Sequence, residues 1–179
     1  MSSSLEKPRS LEREGRHNLM IILGIDPGIA SIGYGLVKKI ENKKFEYLEC
    51  GLIKTTPDHH IAKRLQKINN ELSRIMKTFQ PDIMVMERVY FFRNLKTIIP
   101  VSQAQGVILL TAAKNKIPIF QFTPLEVKMT ITGFGRAEKE VVQEKIKKIL
   151  KLKEISKSDD AMDALAIALT YLMKKAKTS

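Results

Sequence analysis

The sequence predicts an α/β domain built on a five-stranded mixed sheet, in which three antiparallel strands are followed by two parallel strands and flanked by helices. Apolar runs separated by short polar turns occupy residues 20–54, as expected for consecutive antiparallel strands. A long amphipathic pattern then separates them from two further short apolar runs, which is typical of crossover helices between parallel strands. The 179 residues, 44% of them hydrophobic, are enough for one domain with a substantial core.

The first three strands are predicted at residues 21–26, 33–40 and 45–54. A glycine-rich hairpin separates the first two, and the polar turn 41–44 separates the second from the third. Turns this short join neighbouring antiparallel strands, so we expect a three-stranded meander.

The next segment has helical periodicity and leads to a fourth strand. Apolar residues recur at spacings of three and four, at Ile61, Leu65, Ile68, Leu72, Ile75 and Phe79. This pattern predicts a helix over about residues 59–80 that Pro81 ends. The apolar run Ile83–Met86 with Glu87 at its end then predicts a strand, which the crossover makes parallel to its partner.

The remaining chain is predicted to be mostly helical. One short strand, residues 117–120, contains Pro118, which favours a position at the edge of the sheet. Helices are predicted at residues 100–116, 125–131, 138–150 and 160–174. The apolar run Val107–Leu110 beside the small Gly106 suggests the first of these helices as a subunit interface.

Composition and charge limit the class of function. The formal net charge is +12 and the isoelectric point about 9.8, which favours a polyanionic partner such as nucleic acid or an anionic membrane face. Residues 1–19 carry a net charge of only +1 and lack an apolar signal segment. We expect them to be a disordered extension of a domain that spans residues 20–175.

No stretch approaches the roughly 18 consecutive apolar residues of a membrane-spanning helix, so no membrane partner is expected. Cys50 is the only cysteine, which excludes an intrachain disulfide and fits a buried thiol in a reducing cytoplasm. We therefore expect a cytoplasmic protein.

Two carboxylates end predicted strands. Asp26 finishes an apolar run whose two faces both read as buried, where an unpaired charge is unfavourable. Glu87 finishes the fourth strand, and if these strands are parallel neighbours the two side chains emerge at the same end of the sheet, where open α/β sheets bind ligands. Because Pro27 and Gly28 follow Asp26, a role in the turn is an equally good interpretation for Asp26 alone.

The last helix adds further acids. Asp160 and Asp163 are three residues apart, which places them about 60° apart on one helix face. Asp159 is close to the same face, and either Asp159 or Asp160 could simply favour the positive helix N-terminus. Asp163 precedes the apolar run 164–169, so its charge needs a partner, either a metal ion or a lysine.

Oxygen ligands alone select hard cations such as Mg²⁺ or Mn²⁺, and the chain has no Cys or His cluster for zinc. In a basic protein, a carboxylate-only metal site points to phosphodiester hydrolysis, in which two metal ions about 4 Å apart activate a water and stabilise the departing oxygen. We therefore expect Mg²⁺, with Mn²⁺ as a substitute and two ions per site.

Two segments are candidates for contact with nucleic acid. The segment from Gly133 through Arg136 to Lys139 resembles a loop that opens into a helix N-terminus, a favourable site for an anion. Directly after Glu87, residues 88–94 combine aromatic and cationic side chains. An aromatic flanked by arginines can stack on an unpaired base, with a contribution of about 1–3 kcal/mol, although aromatics are more often part of the core.

Taken together, these motifs resemble the RuvC family, bacterial Holliday junction resolvases of the RNase H-like superfamily, over residues 20–174. The resemblance is carried by Gly24-Ile-Asp26-Pro-Gly28, Gly33-Tyr-Gly35, Met86-Glu87-Arg-Val, Gln103-Ala-Gln-Gly106, Gly135-Arg-Ala-Glu-Lys139 and Asp160-Ala-Met-Asp163-Ala-Leu-Ala-Ile-Ala168. It implies an RNase H-like fold in which the catalytic and metal-binding acids are Asp26, Glu87, Asp160 and Asp163. Asp159 is then an outer neighbour of this set.

The resemblance also implies contacts and partners. The family's junction-stacking aromatic, often phenylalanine, matches Tyr90, with Phe91 as a possible substitute. Its phosphate-contacting lysines match Lys128 and Lys139, and we add Arg93 and Arg136 from the cationic segments as nucleic-acid contacts. Family members act as homodimers that cut two opposed strands of a four-way DNA junction during recombination and repair, alongside the branch-migration proteins RuvA and RuvB.

Three alternatives compete with this interpretation. An RNA-processing enzyme with a RuvC-like fold would usually be shorter, with a different pattern of acids near the end. Part of an actin-like or sugar-kinase ATPase would explain the glycine hairpin, but such proteins need a second lobe. A non-catalytic junction-binding module is expected to have lost at least one of the four matched acids, and all are present.

Overall fold

The five predicted strands form one mixed sheet in the computed structural model, which describes residues 19–41, 44–88, 95–152 and 158–178. The strands are β1 Met20–Asp26, β2 Ser31–Glu41, β3 Lys44–Lys54, β4 Ile83–Glu87 and β5 Ile119–Phe122, in the spatial order β3-β2-β1-β4-β5. The pairs β1–β2 and β2–β3 are antiparallel, whereas β1–β4 and β4–β5 are parallel. The predicted fold class and strand directions are confirmed.

Helices cover both faces of this sheet. They are α1 Ile61–Phe79, α2 Leu95–Lys114, α3 Pro124–Thr132, α4 Lys139–Leu150 and α5 Asp159–Thr178. One core cluster joins α1 and α2 to the face that carries Leu23 and Ile25, and the other joins α3, α4 and α5 to the face that carries Ile22 and Val85. Because residues alternate between the faces of a strand, Asp26 and Glu87 belong to the second face, the one that α5 covers.

Among the boundaries that differ from the prediction, three have identifiable reasons or bear on the site. β5 begins two residues later than predicted, at Ile119, and the carbonyl of Pro118 only accepts a hydrogen bond from Met84. Helix α2 begins at Leu95 rather than residue 100 and continues through Pro100, which removes a single helical hydrogen bond. β2 begins at Ser31, two residues earlier than predicted, so Gly33 lies inside the strand rather than at its start.

Glycines on the sheet allow the backbone of α5 to contact it directly. A Cβ atom at Gly24 would overlap the carbonyl oxygen of Ala164, and one at Gly33 would overlap the carbonyl oxygen of Asp160. A Cβ atom at Gly35 would lie 2.8 Å from the backbone nitrogen of Leu165. Only residues without side chains permit this approach, which explains why glycines recur in the two central strands.

The parallel pairing of β1 and β4 is held at its start by Asp82. The Asp82 carboxylate accepts a hydrogen bond of 2.8 Å from the backbone nitrogen of Ile21, and the backbone nitrogen of Asp82 donates to the carbonyl of Ile21 at 2.9 Å. This reciprocal pair fixes the register of the two strands, which then run in step to Asp26 and Glu87.

A charged contact ties α3 to α5. Lys174 lies 2.8 Å from the carboxylate of Glu126 and 4.6 Å from the ring centroid of Phe122. Glu126 also completes a capping box with Thr123 at the start of α3. The hydrogen bond from Lys174, together with that from the Thr123 backbone, lowers the pKa of Glu126 to about 2.

Replacement of Lys174 by methionine is expected to lower the free energy of unfolding at pH 7 by about 0.5–1 kcal/mol, since the pair is partly exposed and screened by solvent. A lowered Glu126 pKa stabilises the fold above the ordinary glutamate pKa, and this stabilisation is lost as the pH falls towards about 2. The difference between variant and wild type in urea denaturation should therefore shrink at pH 2–3. A difference that is constant over this range would contradict the ion pair as its source.

The helices were also compared with the length and hydrophobicity of membrane spans. No helix in the described ranges is both long and apolar enough to cross a membrane. Cys50 is a free thiol, but it is half-buried rather than buried, because it lies in β3 at the rim of the core and contacts the hydroxyl of Tyr47.

Candidate active site

Asp26 lies at the C-terminal end of a strand that is paired on both sides. Its neighbour in β2 is Gly33, and β4 runs along the other side of β1. The turn that follows is held by Thr55, whose hydroxyl donates to the carbonyl of Ile29 and whose backbone nitrogen donates to that of Ala30. The position of Asp26 is therefore fixed by the sheet and by a hydrogen-bonded turn.

Glu87 lies beside Asp26 at the same edge of the sheet. The last paired residues of β1 and β4 in register are Ile25 and Met86, and each carboxylate residue follows directly. The expectation that the two acids emerge together is confirmed. Their shared orientation towards α5 follows from the alternation of side chains along the strands.

Helix α5 brings the other two acids to this edge. The carbonyl of Asp160 lies against Gly33, the residue opposite Asp26, so the first turn of α5 sits over the end of β1. Asp163 is one turn further along, and residues 164–169 behind it are at most 2% exposed. The predicted burial of this helix is confirmed, and the acids come from three separate segments of the chain.

The proximity of these carboxylates is visible in their electrostatics. Burial, followed by the charges of Glu87, Asp163 and Asp160, raises the pKa of Asp26 from 3.8 to about 8. Burial and then the charge of Asp163 also raise the pKa of Glu87, and burial raises the pKa of Asp163. Such a cluster holds all its negative charges at neutral pH only if a cation joins it.

One cation of the chain already lies at the edge of the cluster. The ammonium of Lys139 is 3.0 Å from Oδ2 of Asp163 and 3.4 Å from Oδ2 of Asp159. Partial burial opposes the charge of Lys139, but its hydrogen bond to Asp163 and the two aspartate charges raise its pKa overall. Lys139 is therefore one partner of the Asp163 charge, and a metal ligand role for Asp163 stays a prediction.

The donor set nevertheless fits a hard divalent cation. All four side chains offer carboxylate oxygen, which Mg²⁺ and Mn²⁺ prefer, and burial together with the charges of the other three acids raises the pKa of Asp26. Within residues 19–41, 44–88, 95–152 and 158–178, no three Asp, Glu, His or Cys side chains already stand close enough together to hold a metal ion. At Asp163, Lys139 contacts only Oδ2, so a cation that takes this oxygen would have to displace the ammonium.

A cavity of about 170 Å³ adjoins the cluster, and both candidate phosphate lysines line it. Its polar lining consists of Glu87, Lys128, Lys139 and Asp163, and its apolar lining comes mainly from α3 and α5. The ammonium of Lys128 donates to the carbonyl of Ala137 at 2.7 Å, which holds the loop between α3 and α4 beside the cavity. Two acids and two lysines thus share one concave surface.

The structure describes only some of the other candidate contacts with nucleic acid. Arg136 lies exposed in the loop before α4, and this helix begins at Lys139 as the predicted loop-to-helix transition requires. The N-cap Glu138 makes no side-chain capping hydrogen bond, so the first backbone amides of α4 are not capped by it. Tyr90, Phe91 and Arg93 lie outside the described residues, and their roles stay predictions.

Two features of the site escaped sequence reasoning. Gln143 donates a hydrogen bond of 3.0 Å to Oδ1 of Asp159, and it lies one turn after Lys139 on α4. The sequence signal for this contact is the i, i+4 spacing of Lys139 and Gln143, which places both on one face of α4. Only the packing of α4 on α5 shows that both side chains contact Asp159. The second feature is the contact of α5 with Gly24 and Gly33, which the sequence places in predicted strands; glycine inside a strand also signals close approach of another backbone.

The mixed sheet, the acids at the ends of two adjacent strands and the acid-bearing helix across them define an RNase H-like nuclease. Comparison with known proteins specifies the family. The family model described as crossover junction endodeoxyribonuclease RuvC matches residues 22–171. The chain belongs to the RuvC family and is an endodeoxyribonuclease.

Individual relatives agree with this assignment. The RuvC proteins of Natranaerobius thermophilus and Fusobacterium nucleatum are 45% and 43% identical to this chain, over 85% and 86% of it and 94% and 80% of their own lengths. The structure of Thermus thermophilus RuvC in complex with a Holliday junction substrate superposes with a TM-score of 0.84 and 31% identity, covering 89% of this chain and 96% of that one.

A more distant neighbour shares the fold. The yeast mitochondrial Holliday junction resolvase Ydc2 has a TM-score of 0.62 at 17% identity and covers 88% of this chain. Membership of the RuvC family implies dependence on a divalent metal in general terms. The family match also argues against the actin-like ATPase considered as an alternative.

Proposed function

We propose that this chain resolves four-way DNA junctions by hydrolysing phosphodiester bonds in two opposed strands, with Asp26, Glu87, Asp160 and Asp163 as its catalytic and metal-binding acids. The observation that carries the proposal is that the charges of Glu87, Asp160 and Asp163, from two other segments of the chain, act on Asp26 beside a cavity lined by two lysines. The Thermus thermophilus relative, which covers nearly all of this chain, binds a Holliday junction substrate.

The cations we propose are Mg²⁺ or Mn²⁺, two per site, held by the four acids. When bound, such ions supply an activated water and stabilise the departing oxygen. The residues of the chain contribute position and charge. Asp26 and Glu87 stand on paired strands, so they approach the reacting phosphate without reorganisation of the backbone.

The same surface carries the proposed contacts with DNA. Lys128 and Lys139 line the cavity and would bind the phosphate backbone, while Arg136 is exposed on the adjacent loop. We propose that Tyr90 stacks on a base near the junction and that Arg93 contacts the same strand. These two assignments rest on the sequence motif alone.

Cutting two opposed strands requires two active sites, so we propose a homodimer. The exposed apolar side chains of α2 support this helix as the interface, because Ile99 is 67% and Leu110 is 54% exposed in the single chain. Gly106 on this helix has no neighbouring atom within 4 Å of a Cβ position, which leaves room for close approach. By family membership we further propose RuvA and RuvB as partners in recombination and repair in the cytoplasm.

The direct test incubates the purified protein and Mg²⁺ with a synthetic four-way junction, a linear duplex and an RNA–DNA hybrid of matched sequence. Paired nicks in opposed strands of the junction are expected, with little cleavage of the duplex or hybrid and none in excess EDTA. Preferential cleavage of the hybrid would favour the RNA-processing alternative. Equal cleavage of all three substrates would identify a general nuclease.

Junction affinity is expected to fall steeply with salt, because lysine contacts to phosphate release condensed counterions. If Lys128 and Lys139 each contact a phosphate, each replacement by methionine should reduce the slope of log K against log[salt] by about 1. Binding is best measured in Ca²⁺ or EDTA to prevent cleavage. An unchanged slope in both variants would contradict their assignment as phosphate contacts.

A further inference from the structure

The ammonium of Lys139 is shared between two aspartates with different surroundings. Asp163 lines the cavity beside Glu87, whereas Asp159 lies outside the cavity lining, and its side chain is 67% exposed. Lys139 itself is 41% exposed and stands between them. One ammonium group therefore connects the inner carboxylate cluster to an outer carboxylate.

Asp159 is held in place by a second side chain. Its Oδ1 accepts the hydrogen bond from Gln143, while its Oδ2 faces Lys139. Lys139 and Gln143 are four residues apart, one turn from each other on the same face of α4, and Asp159 is the first residue of α5. The outer carboxylate is thus pre-positioned by a contact that does not involve the inner acids.

A divalent cation and the Lys139 ammonium compete for Asp163. The ammonium is within hydrogen-bond distance of Oδ2, so a cation that binds this oxygen would lie within a few ångströms of a positive charge. A cation that binds Oδ2 therefore displaces Lys139 from this oxygen. An ammonium displaced without another partner would lose the favourable energy of its ion pair, which is modest for a group this exposed.

We propose that Asp159, positioned by Gln143, is a positioning residue that retains Lys139 when a divalent cation takes Asp163. This exchange lowers the cost of metal entry and keeps the ammonium at the rim of the cavity, where a phosphate of the bound DNA would meet it. The inference rests on the proposed metal site, but it is tested without DNA.

The test is a double-mutant cycle on Mn²⁺ binding by the DNA-free protein, measured from the free Mn²⁺ signal in electron paramagnetic resonance. Lys139→Met removes the competing charge and should tighten Mn²⁺ binding about tenfold, within the range of ordinary coupling between sites. Asp159→Asn leaves Lys139 with Asp163 alone and should weaken binding about fivefold, as expected for loss of an exposed ion pair. Asp159 is exposed, so the substitution should not disturb folding.

The cycle separates retention of Lys139 from a general effect of charge. If Asp159 acts through Lys139, Asp159→Asn should have almost no effect on Mn²⁺ affinity in the Lys139→Met background. If Asp159 only adds negative potential, its loss will weaken binding equally in both backgrounds, and the proposal is overturned. Glu140→Gln is the matched control, since it removes one exposed acid from the same helix end and should change affinity by less than twofold.

Gln143→Ala provides a second route to the same result, with a weakening of Mn²⁺ binding in the same direction as Asp159→Asn but smaller. With junction DNA, Asp159→Asn should raise the Mn²⁺ concentration for half-maximal cleavage and leave the rate at saturating metal nearly unchanged. Absence of Mn²⁺ binding in wild type and in Lys139→Met alike would overturn both this inference and the proposed metal site. Binding without coupling would overturn this inference alone.

Discussion

Asp26→Asn is expected to lower junction cleavage by on the order of 10³-fold or more while leaving junction binding nearly unchanged, as for loss of one member of a set of groups that act together. The amide keeps the shape of the side chain but provides a neutral ligand in place of a carboxylate. Single-turnover cleavage and a binding assay on the same junction separate the two effects. Cleavage at the wild-type rate would remove Asp26 from the proposed site.

The same variant should be more stable than wild type in metal-free buffer at pH 8. In the unfolded chain the Asp26 pKa is near its ordinary value of 3.8, but in the folded chain it is about 8. Between these values the folded state binds the extra proton, so the stability of the wild type falls as the pH rises. Asparagine has no charge to bury and avoids this loss.

Thermal unfolding in EDTA at pH 4 and pH 8 tests the direction of this stability difference between Asp26→Asn and the wild type. The melting temperature of Asp26→Asn should exceed that of wild type at pH 8, and the difference should largely disappear near pH 4, where Asp26 is mostly protonated when folded. Saturating Mg²⁺ should then stabilise the wild type more than the variant, because only the wild type retains the full ligand set. If the wild type is more stable than the variant at pH 8 without metal, the negative charge of Asp26 is not unfavourable in the folded state, and the raised pKa of Asp26 is contradicted.

The positions of two acids could be predicted because they depend on local patterns. A buried run that ends in Asp26 and another that ends in Glu87 are separated by two antiparallel strands and one crossover helix, which leaves few arrangements other than parallel neighbours. Asp163 could be assigned to a buried helix because the residues after it are apolar on nearly every side. Periodicity and the chirality of the crossover are sufficient for these inferences.

The partners of the acids depend on tertiary packing and could not be predicted. The contact of Asp163 with Lys139 exists because α4 packs beside α5, and the spacing of residues within either helix does not contain that information. Likewise, β5 begins two residues later than predicted, directly after Pro118. Proline lacks an amide hydrogen but can precede or begin a strand, so its presence alone does not define the first residue of β5. Sequence therefore identified which groups carry charge, and packing determined which charges meet.

The glycines of β1 and β2 also show that a local sequence pattern can have a role that only tertiary packing reveals. Their sequence pattern fits a phosphate-binding hairpin as well as a strand, and this ambiguity supported the ATPase alternative. In the fold they lie under the backbone of α5, with Gly24 against Ala164 and Gly33 against Asp160. A substitution at Gly33 consequently tests whether helix contact, rather than turn formation, is the role of that glycine.

Gly33→Ala is expected to reduce junction cleavage by about 10²-fold, the effect of misplacing a reacting group by roughly 1 Å. The new methyl group would overlap the carbonyl of Asp160, which is backbone and can move only if the first turn of α5 moves. Overpacking of this kind should also lower the free energy of unfolding by about 1–3 kcal/mol. Urea denaturation and single-turnover cleavage measure the two effects on the same preparation.

Gly106→Ala is the matched control for the unfolding measurement, because nothing lies within 4 Å of its Cβ position in the single chain. Alanine there should raise the stability of the helix by up to about 1 kcal/mol, the opposite direction to Gly33→Ala. Cleavage by Gly33→Ala should fall even under conditions in which the variant is fully folded, since the displaced turn carries Asp160 and is followed directly by Asp163. If Gly33→Ala cleaves and unfolds like wild type, α5 does not rest on the sheet at this glycine, and the proposed assembly of the four acids loses its structural basis.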